Sequence, residues 1–327
     1  MTRLLVTGGA GYVGAHTVRH LLAAGIAPAD IVVFDSLERG HSAFVPAGVE
    51  LMQGDLRSPE EVERLFSEHR FDSILHFAAY TYVGESVSDP ALYFDNNVVG
   101  GLNLLEAARR HGCRNIVLSS TCAVYGTPAS LPITEDCALA PASPYGMSKR
   151  TLEDMLESYA RSYAIRSVCL RYFNAAGAAY GIGELHEPET HLVPLVLRTA
   201  LGHQPHVTIN GSDYATPDGT CVRDYVHVVD LAEAHGRALE VLRAGTTGHA
   251  RLNLGSGTGT SVREIVEVSR QITGAEIPVV IGPRREGDPA ALYAEATRAR
   301  RLLGWTPHRG LREMIEDAWR WHRGAGV

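Results

Sequence analysis

Long apolar runs are missing from this chain: no stretch of its 327 residues could span a bilayer. A basic excess is missing too. The net charge of -7 argues against a nucleic-acid binder and leaves no basic patch for a membrane surface. Cysteines are few and scattered: Cys113, Cys122, Cys137, Cys169 and Cys221, odd in number and without CxxC spacing. They read as small apolar fillers in a reducing cytoplasm rather than a disulfide framework. The first residues already form a strand pattern, so no signal peptide is expected. Repeats and low-complexity tracts are absent. One segment, His186-Glu187-Pro188-Glu189-Thr190-His191, superficially resembles a zinc helix. Its histidines stand five apart rather than four, and Pro188 breaks a helix, so no metal is expected. What the chain does have is a hydrophobic content of 45%, enough for a full core, and a length that suits one large domain or two modest ones.

The N-terminus is the first strong signal. Apolar Leu4-Leu5-Val6 runs into Gly8, Gly11 and Gly14, and a helical pattern with Val18, Leu21 and Leu22 on one face follows. A strand, a glycine turn and a helix in that order let backbone N–H groups approach a pyrophosphate at the helix N-terminus. Gly8 permits the turn, Gly11 leaves room for phosphates and Gly14 lets helix and strand pack closely. A second strand, Ile31 to Phe34, ends in Asp35. That is close to the ~20 residues beyond the glycines at which an acidic side chain takes ribose hydroxyls. Its carboxylate would repel a 2′-phosphate, so the cofactor expected is NAD rather than NADP. A third strand from Val49 to Met52 leads to Gly54-Asp55-Leu56, where Asp55 is a candidate adenine contact.

Strand and helix patterns alternate through the first part, which predicts an α/β fold with a doubly wound, Rossmann-type parallel sheet. Ser58, Pro59 and Glu61 form a capping box at a helix start. Strands are predicted at Ser73–His76, Asn115–Ser119 and Ser167–Tyr172, with one long helix from about Pro90 to His111. After Asn174 the character changes: residues 175 to 190 lack periodicity and read as a loop, followed by a helix from His191 to Leu201. Arg223 to Val228 is strand-like, Val229 to Leu242 helical and Leu252 to Leu254 a buried strand, and Ser261 with Glu264 forms a second capping box. The expected division is 1–174 plus about 228–257 for the cofactor domain, and about 175–227 plus 258–327 for a smaller C-terminal α/β substrate domain.

Tyr145 and Lys149, in Ser143-Pro144-Tyr145-Gly146-Met147-Ser148-Lys149, fall four apart at the start of a predicted helix and share a face. A nearby ammonium favours phenolate, so Tyr145 is the candidate general base.

With these residues in place, the chain resembles the extended short-chain dehydrogenase/reductases, and among them the UDP-glucose 4-epimerase (UDP-galactose 4-epimerase) group. The motifs that carry the likeness run from Thr7–Gly14 through His76-Phe77-Ala78-Ala79, Val83–Ser86, Asp95–Val98 and Tyr145/Lys149. They continue through Arg171–Asn174, Pro188–Leu192, Asp218–Tyr225 and Arg284-Arg285-Glu286-Gly287-Asp288. The resemblance implies NAD-dependent 4-epimerisation of UDP-glucose and UDP-galactose through a 4-keto sugar. It names 4-epimerisation of UDP-GlcNAc or a UDP-uronate as the alternative. It makes Tyr145, Lys149 and Thr121 catalytic, with Lys149 holding the nicotinamide ribose and Thr121 bonding the sugar O4. Cofactor contacts implied are Gly8, Gly11, Tyr12, Val13, Gly14, Asp35, Asp55, Leu56, Phe77, Ala78, Ala79, Asn97, Tyr145, Lys149 and Tyr172. Substrate contacts implied are Thr121, Tyr145, Phe173, Asn174, Leu192, Arg223, Arg285, Asp288 and Leu292. A homodimer through helices near 90–111 and 144–162 is implied as well.

Related dehydratases carry acidic residues directly after the threonine, whereas Cys122 and Ala123 stand there in this chain. Three positions depart from the group's pattern. Thr81 stands where some members carry a lysine near the cofactor phosphates, Asn210 replaces an aromatic near uracil, and Leu292 replaces a bulky tyrosine beside the sugar C2 group. The shorter Leu292 is expected to enlarge that part of the pocket.

Overall fold

The structure is a computed structural model that describes residues 3–285 and 288–325. Its first six strands are β1 (Arg3–Thr7), β2 (Ile31–Asp35), β3 (Glu50–Gln53), β4 (Phe71–His76), β5 (Asn115–Thr121) and β6 (Arg166–Tyr172). They alternate with helices α1 (Tyr12–Ala23), α2 (Pro59–Glu68), α3 (Val83–Ser88), α4 (Pro90–Tyr93), α5 (Gly100–Arg110) and α6 (Pro144–Tyr163). Next come β7 (Asn174–Ala176), α7 (Leu192–Ala200), β8 (Val207–Asn210), β9 (Val222–Arg223), β10 (Tyr225–His227), α8 (Val228–Arg243) and β11 (His249–Leu254). The chain closes with β12 (Thr260–Ser261), α9 (Val262–Thr273), β13 (Val279–Gly282), β14 (Ala291–Leu292), α10 (Thr297–Leu303) and α11 (Leu311–Ala325).

Seven strands pair in the order β11-β6-β5-β4-β1-β2-β3, all parallel. Alternation along β1 shows why both faces are covered. Leu4 and Val6 pack with Val18 and Leu21 of α1 and Leu231 and Leu239 of α8. Leu5 packs on the other side with Val62 and Leu65 of α2, Leu104 of α5 and Leu152 of α6. Strands buried on both faces read as unbroken apolar runs, as Leu4-Leu5-Val6 does. The order reverses between β1 and β4, which opens a crevice beyond their carboxyl ends, the place where ligands bind in such sheets.

Most of the remaining elements build a smaller α/β unit, while α10 packs on the large sheet through Ala299 and Leu303. Val193, Val196 and Leu197 of α7, Ile265 and Val266 of α9, and Met314 and Ile315 of α11 form a separate apolar cluster. Short pairings (β7 with β10, β8 with β13, and β12-β9-β14) tie it together. Trp305 is fully buried against the large sheet and donates its indole N–H to the Asp230 carbonyl at 2.8 Å.

Three local expectations need correction. The helix predicted over Pro90–His111 is interrupted by a π-helical segment, Phe94–Val99, between α4 and α5. Within it Asn97 is buried and pins the Tyr80 backbone, accepting from its N–H at 2.9 Å and donating to its carbonyl at 3.1 Å and to Ser148 Oγ at 2.9 Å. The capping box at α2 is one-sided. Ser58 Oγ accepts from the Glu61 N–H at 3.3 Å, but the Glu61 carboxylate takes the Asp55 N–H at 2.7 Å instead of reaching back to Ser58. The loop predicted over 175–190 begins with strand geometry, because β7 lies parallel to β10 and the Asn174 N–H donates to the Asp224 carbonyl at 3.0 Å.

Candidate active site

The crevice is shaped by backbone. Gly8 holds a left-handed φ of +71°, and a Cβ there would lie 2.4 Å from the Ala78 nitrogen. A Cβ on Gly14 would lie 2.2 Å from the Gly8 carbonyl oxygen. The N–H groups of Phe77 and Ala78 both donate to the Thr7 carbonyl, at 2.9 and 3.1 Å, which locks the β1 and β4 exits side by side. No side chain caps α1, which starts at Tyr12 after Gly11. Its first amides, on Tyr12, Val13 and Gly14, are thus the unsatisfied donors a helix start offers an anion. These features fit the diphosphate of a dinucleotide.

Asp35 ends β2 with its carboxylate fixed by two backbone amides, Ala10 to Oδ2 and Leu37 to Oδ1, both at 3.0 Å. Burial raises its pKa, and the two amides work against that rise. Asp55 accepts from the Arg57 N–H and Nε, both at 2.8 Å, and Arg57 continues to Glu38 at 2.5 Å, so acidic groups crowd this end of the crevice. Leu56 is buried beside them. Thr81, which lacks the lysine charge, is flanked by Tyr80 and Tyr82. The Arg39 guanidinium lies 4.1 Å and 4.7 Å from their ring centres and pairs with Glu85 at 2.7 Å.

Ser143 caps α6 through the Gly146 N–H at 3.2 Å, and Pro144 occupies its first turn. Tyr145 and Lys149 thereby share a buried face, with exposures of 9% and 2%. Thr121 lies close enough to Tyr145 to pull its pKa down, and Thr121 Oγ1 accepts from the Ala123 N–H at 3.1 Å. Lys149 Nζ donates to the Ser119 carbonyl at 2.9 Å, and Ser119 Oγ meets the Tyr172 hydroxyl at 2.6 Å. The expectation of a lowered Tyr145 pKa is corrected here. Burial raises it, the neighbouring Tyr172 adds to the rise, and Thr121 only partly offsets it. The same burial lowers Lys149 to about 8, against the pull of Glu153. Desolvation is the first cause of both shifts.

Sequence reading missed what lies behind Lys149. Glu153 is fully buried and grips Arg171 (2.9 Å to Nε, 2.5 Å to a terminal nitrogen), and it accepts from Ser120 Oγ at 2.5 Å. The signal was available, since Glu153 stands four residues beyond Lys149 on the same helix face.

Across the site, Cys122, Phe173, Leu292, Val124 and Ala294 form one apolar cluster next to Thr121. Leu292 is aligned with Arg223 in the β14–β9 pairing. Arg223 donates to the carbonyls of Val222 and Pro289, both at 2.9 Å, and lies 3.4 Å from Asp288. Asn174 Nδ2 donates to the Asp224 carbonyl at 2.9 Å. Arg284 is committed to Asp213 at 2.7 Å and stacks on Tyr214, while Arg285 is exposed on the adjoining loop. Glu286 and Gly287 of that motif lie outside the described residues. Leu192 opens α7, Asn210 is paired with Gly282 at the end of β8, and Ala79 follows Ala78 at the crevice rim.

Residues 4–255 match the model of the NAD dependent epimerase/dehydratase family. The chain belongs to that family. It is 48% identical over 318 residues to the UDP-glucose 4-epimerase of Corynebacterium glutamicum, covering 97% of this chain and 94% of the relative. The crystal structure of UDP-glucose 4-epimerase from Brucella ovis in complex with NAD matches with a TM-score of 0.93 and 44% identity, over 98% of each chain. The enzyme from Bifidobacterium longum in complex with NAD+ and UDP matches with a TM-score of 0.92 and 38% identity, again over 98% of each chain.

One grouping on this epimerase/dehydratase frame runs against the sequence reading. Glu184, His186, Glu189 and His191 offer ligand atoms that all lie within 4.8 Å of one another. The segment is an irregular loop that ends at the start of α7, with His191 as its N-cap, so helical spacing does not describe how these side chains meet. Burial opposes charge on His191, but Glu184 and Glu189 win and lift its pKa to about 9.

Proposed function

We propose that this protein interconverts UDP-glucose and UDP-galactose by NAD-dependent epimerisation at C4. The observation that carries the reading is the buried Tyr145–Lys149 pair, with Lys149 held on the Ser119 carbonyl at 2.9 Å, beside the glycine crevice and the cluster of Phe173 and Leu292. The named relatives and the NAD and UDP complexes of the structural neighbours support it.

In this reading Gly8, Gly11, Tyr12, Val13 and Gly14 hold the cofactor diphosphate. Asp35 takes a ribose, and Asp55 and Leu56 flank the adenine. Phe77, Ala78, Ala79, Asn97 and Tyr172 complete the crevice, with Asn97 acting through the Tyr80 backbone it clamps. NAD, when bound, would supply the hydride acceptor and donor for the sugar C4. Thr121 bonds the sugar O4, and Tyr145 accepts the hydroxyl proton and later returns it. A buried phenolate needs cationic company, and Lys149, one turn away, supplies the chain's own share while holding the nicotinamide ribose. Cys122 and Ala123 follow Thr121 where related dehydratases carry acidic residues. That disfavours elimination of water. Arg223 and Arg285 face the diphosphate, Asp288 a ribose hydroxyl, and Asn174 and Leu192 complete the nucleotide side. The largely apolar walls made by Phe173 and Leu292 offer few fixed hydrogen bonds, so a keto sugar can turn and present its other face.

No helix among the described residues is long and apolar enough to cross a membrane, and five free thiols suit a reducing cytoplasm. Exposed Val87, Phe94, Leu102 and Met147 on α3–α6 support a homodimer through this face, which sedimentation at micromolar concentration would test. For the activity, purified protein is incubated with UDP-galactose without added NAD and followed by proton NMR. Conversion to a mixture with UDP-glucose is expected. No conversion even after NAD is supplied would refute the proposal.

A further inference from the structure

We infer that Glu184, His186, Glu189 and His191 form a binding site for one divalent transition-metal ion of the zinc class, beside the cofactor crevice and separate from the reacting groups. The distances suit it. His186 Nδ1 lies 3.4 Å from Glu184 Oε1 and 3.9 Å from Glu189 Oε2, and His191 Nδ1 lies 3.0 Å from Glu184 Oε1 and 2.9 Å from Glu189 Oε1. A tetrahedral ion with bonds of about 2.0–2.2 Å separates its ligands by roughly 3.3–3.6 Å, and one ligand atom from each of the four residues lies within 4.8 Å of the other three.

Two atoms point to the ligand independently. His186 Nδ1 and Glu189 Oε2 are both buried with no hydrogen-bond partner among the described residues. The Glu189 side chain is 1% exposed, and its Oε2 faces His186 across a gap too long for a hydrogen bond. Glu189 Oε1, by contrast, already accepts from the Thr190 and His191 N–H groups, each at 2.8 Å, which fixes the carboxylate and aims Oε2 at the cluster. Buried polar atoms left without partners call for a specific explanation, and a bound ion is one.

Charge separates the ion from its competitor, a proton. An imidazolium at His191 explains the two short contacts. It brings one positive charge to two carboxylates and still leaves His186 Nδ1 and Glu189 Oε2 unpartnered. A divalent ion with two neutral imidazoles balances both carboxylates and uses both orphans. Two nitrogens and two oxygens also favour zinc over magnesium or calcium, which prefer all-oxygen shells. Four protein ligands make a closed site, which is structural in character. It would fasten the 184–191 loop where its rings meet Tyr12 of the glycine turn (6.4 Å between centroids to His186) and Tyr82 (6.0 Å to His186, 6.3 Å to His191).

The test is metal content by mass spectrometry on NAD-loaded protein, after EDTA, re-equilibration with zinc chloride and desalting. About one zinc per chain is expected in the wild type, with at least tenfold weaker retention in Glu189→Gln and His186→Ala, each checked for unchanged NAD content. If either variant fails to fold, zinc-edge X-ray absorption on the wild type decides, with two imidazole nitrogens and two oxygens at about 2.0–2.2 Å expected. Wild-type protein without retained zinc overturns the inference. So do folded variants that retain zinc as well as wild type, or a shell lacking imidazole.

Discussion

The glycine crevice and the nucleotide-sugar side proposed for it meet at Tyr145 but are built by different means. The crevice is mostly backbone, drawn from two short stretches, residues 7–14 and 76–79, whose amides and glycines make its shape. In the proposed reading the sugar side is mostly side chains, from Asn174, Leu192, Arg223, Arg285, Asp288 and Leu292, and Arg223 and Asn174 are each held by a carbonyl from another segment. A backbone-built site has no slack for an added atom, whereas a side-chain-built site should lose function in steps.

Gly8→Ala gives the sharpest contrast and the largest effect. The new methyl would meet backbone, not a movable side chain, at a φ that L-residues disfavour by roughly 1–2 kcal/mol before any clash is counted. The expected outcome is protein that purifies without NAD, or does not purify, as read from cofactor content. A folded variant with full NAD would show that the crevice yields after all. Arg223→Ala comes next. A hydrogen bond to a charged group contributes about 1.5–3 kcal/mol, so KM for UDP-galactose should rise by roughly 10- to 150-fold with NAD content unchanged. An unchanged KM would remove Arg223 from the substrate side.

The smallest expected effect concerns Lys149. Its folded pKa of about 8 lies below the unfolded value of 10.5, so the unfolded chain holds the extra proton between these limits. In the cofactor-free protein this costs stability in full below about pH 8, and the cost fades as pH rises toward 10.5. Lys149→Met removes the titration. Its gain in melting temperature over wild type should therefore be largest near pH 7.5 and shrink by pH 10. A gain independent of pH would contradict the burial argument.

How much was legible follows the same division. The glycine turn, Asp35, and Tyr145 with Lys149 were readable because each is local: a strand exit, a strand end and one helical turn. The inward aim of Asn97 was not, since a π segment shifts the face that a 3.6-residue period assigns. The Glu153–Arg171 pair was half visible, as its helix spacing is local but its partner arrives from β6. Strands β8, β13 and β14 were missed because two to four residues carry no periodicity of their own. The grouping of Glu184 with His191 depends on a loop path that spacing does not encode.

The most direct test of the account is Tyr145→Phe, purified with its cofactor and assayed for conversion of UDP-galactose to UDP-glucose. A proton carrier of this kind contributes typically 10²–10⁴-fold, so the turnover rate should fall by about that factor while NAD content and melting temperature stay near wild type. Turnover within about twofold of wild type would contradict the central claim that the Tyr145 oxygen carries the proton.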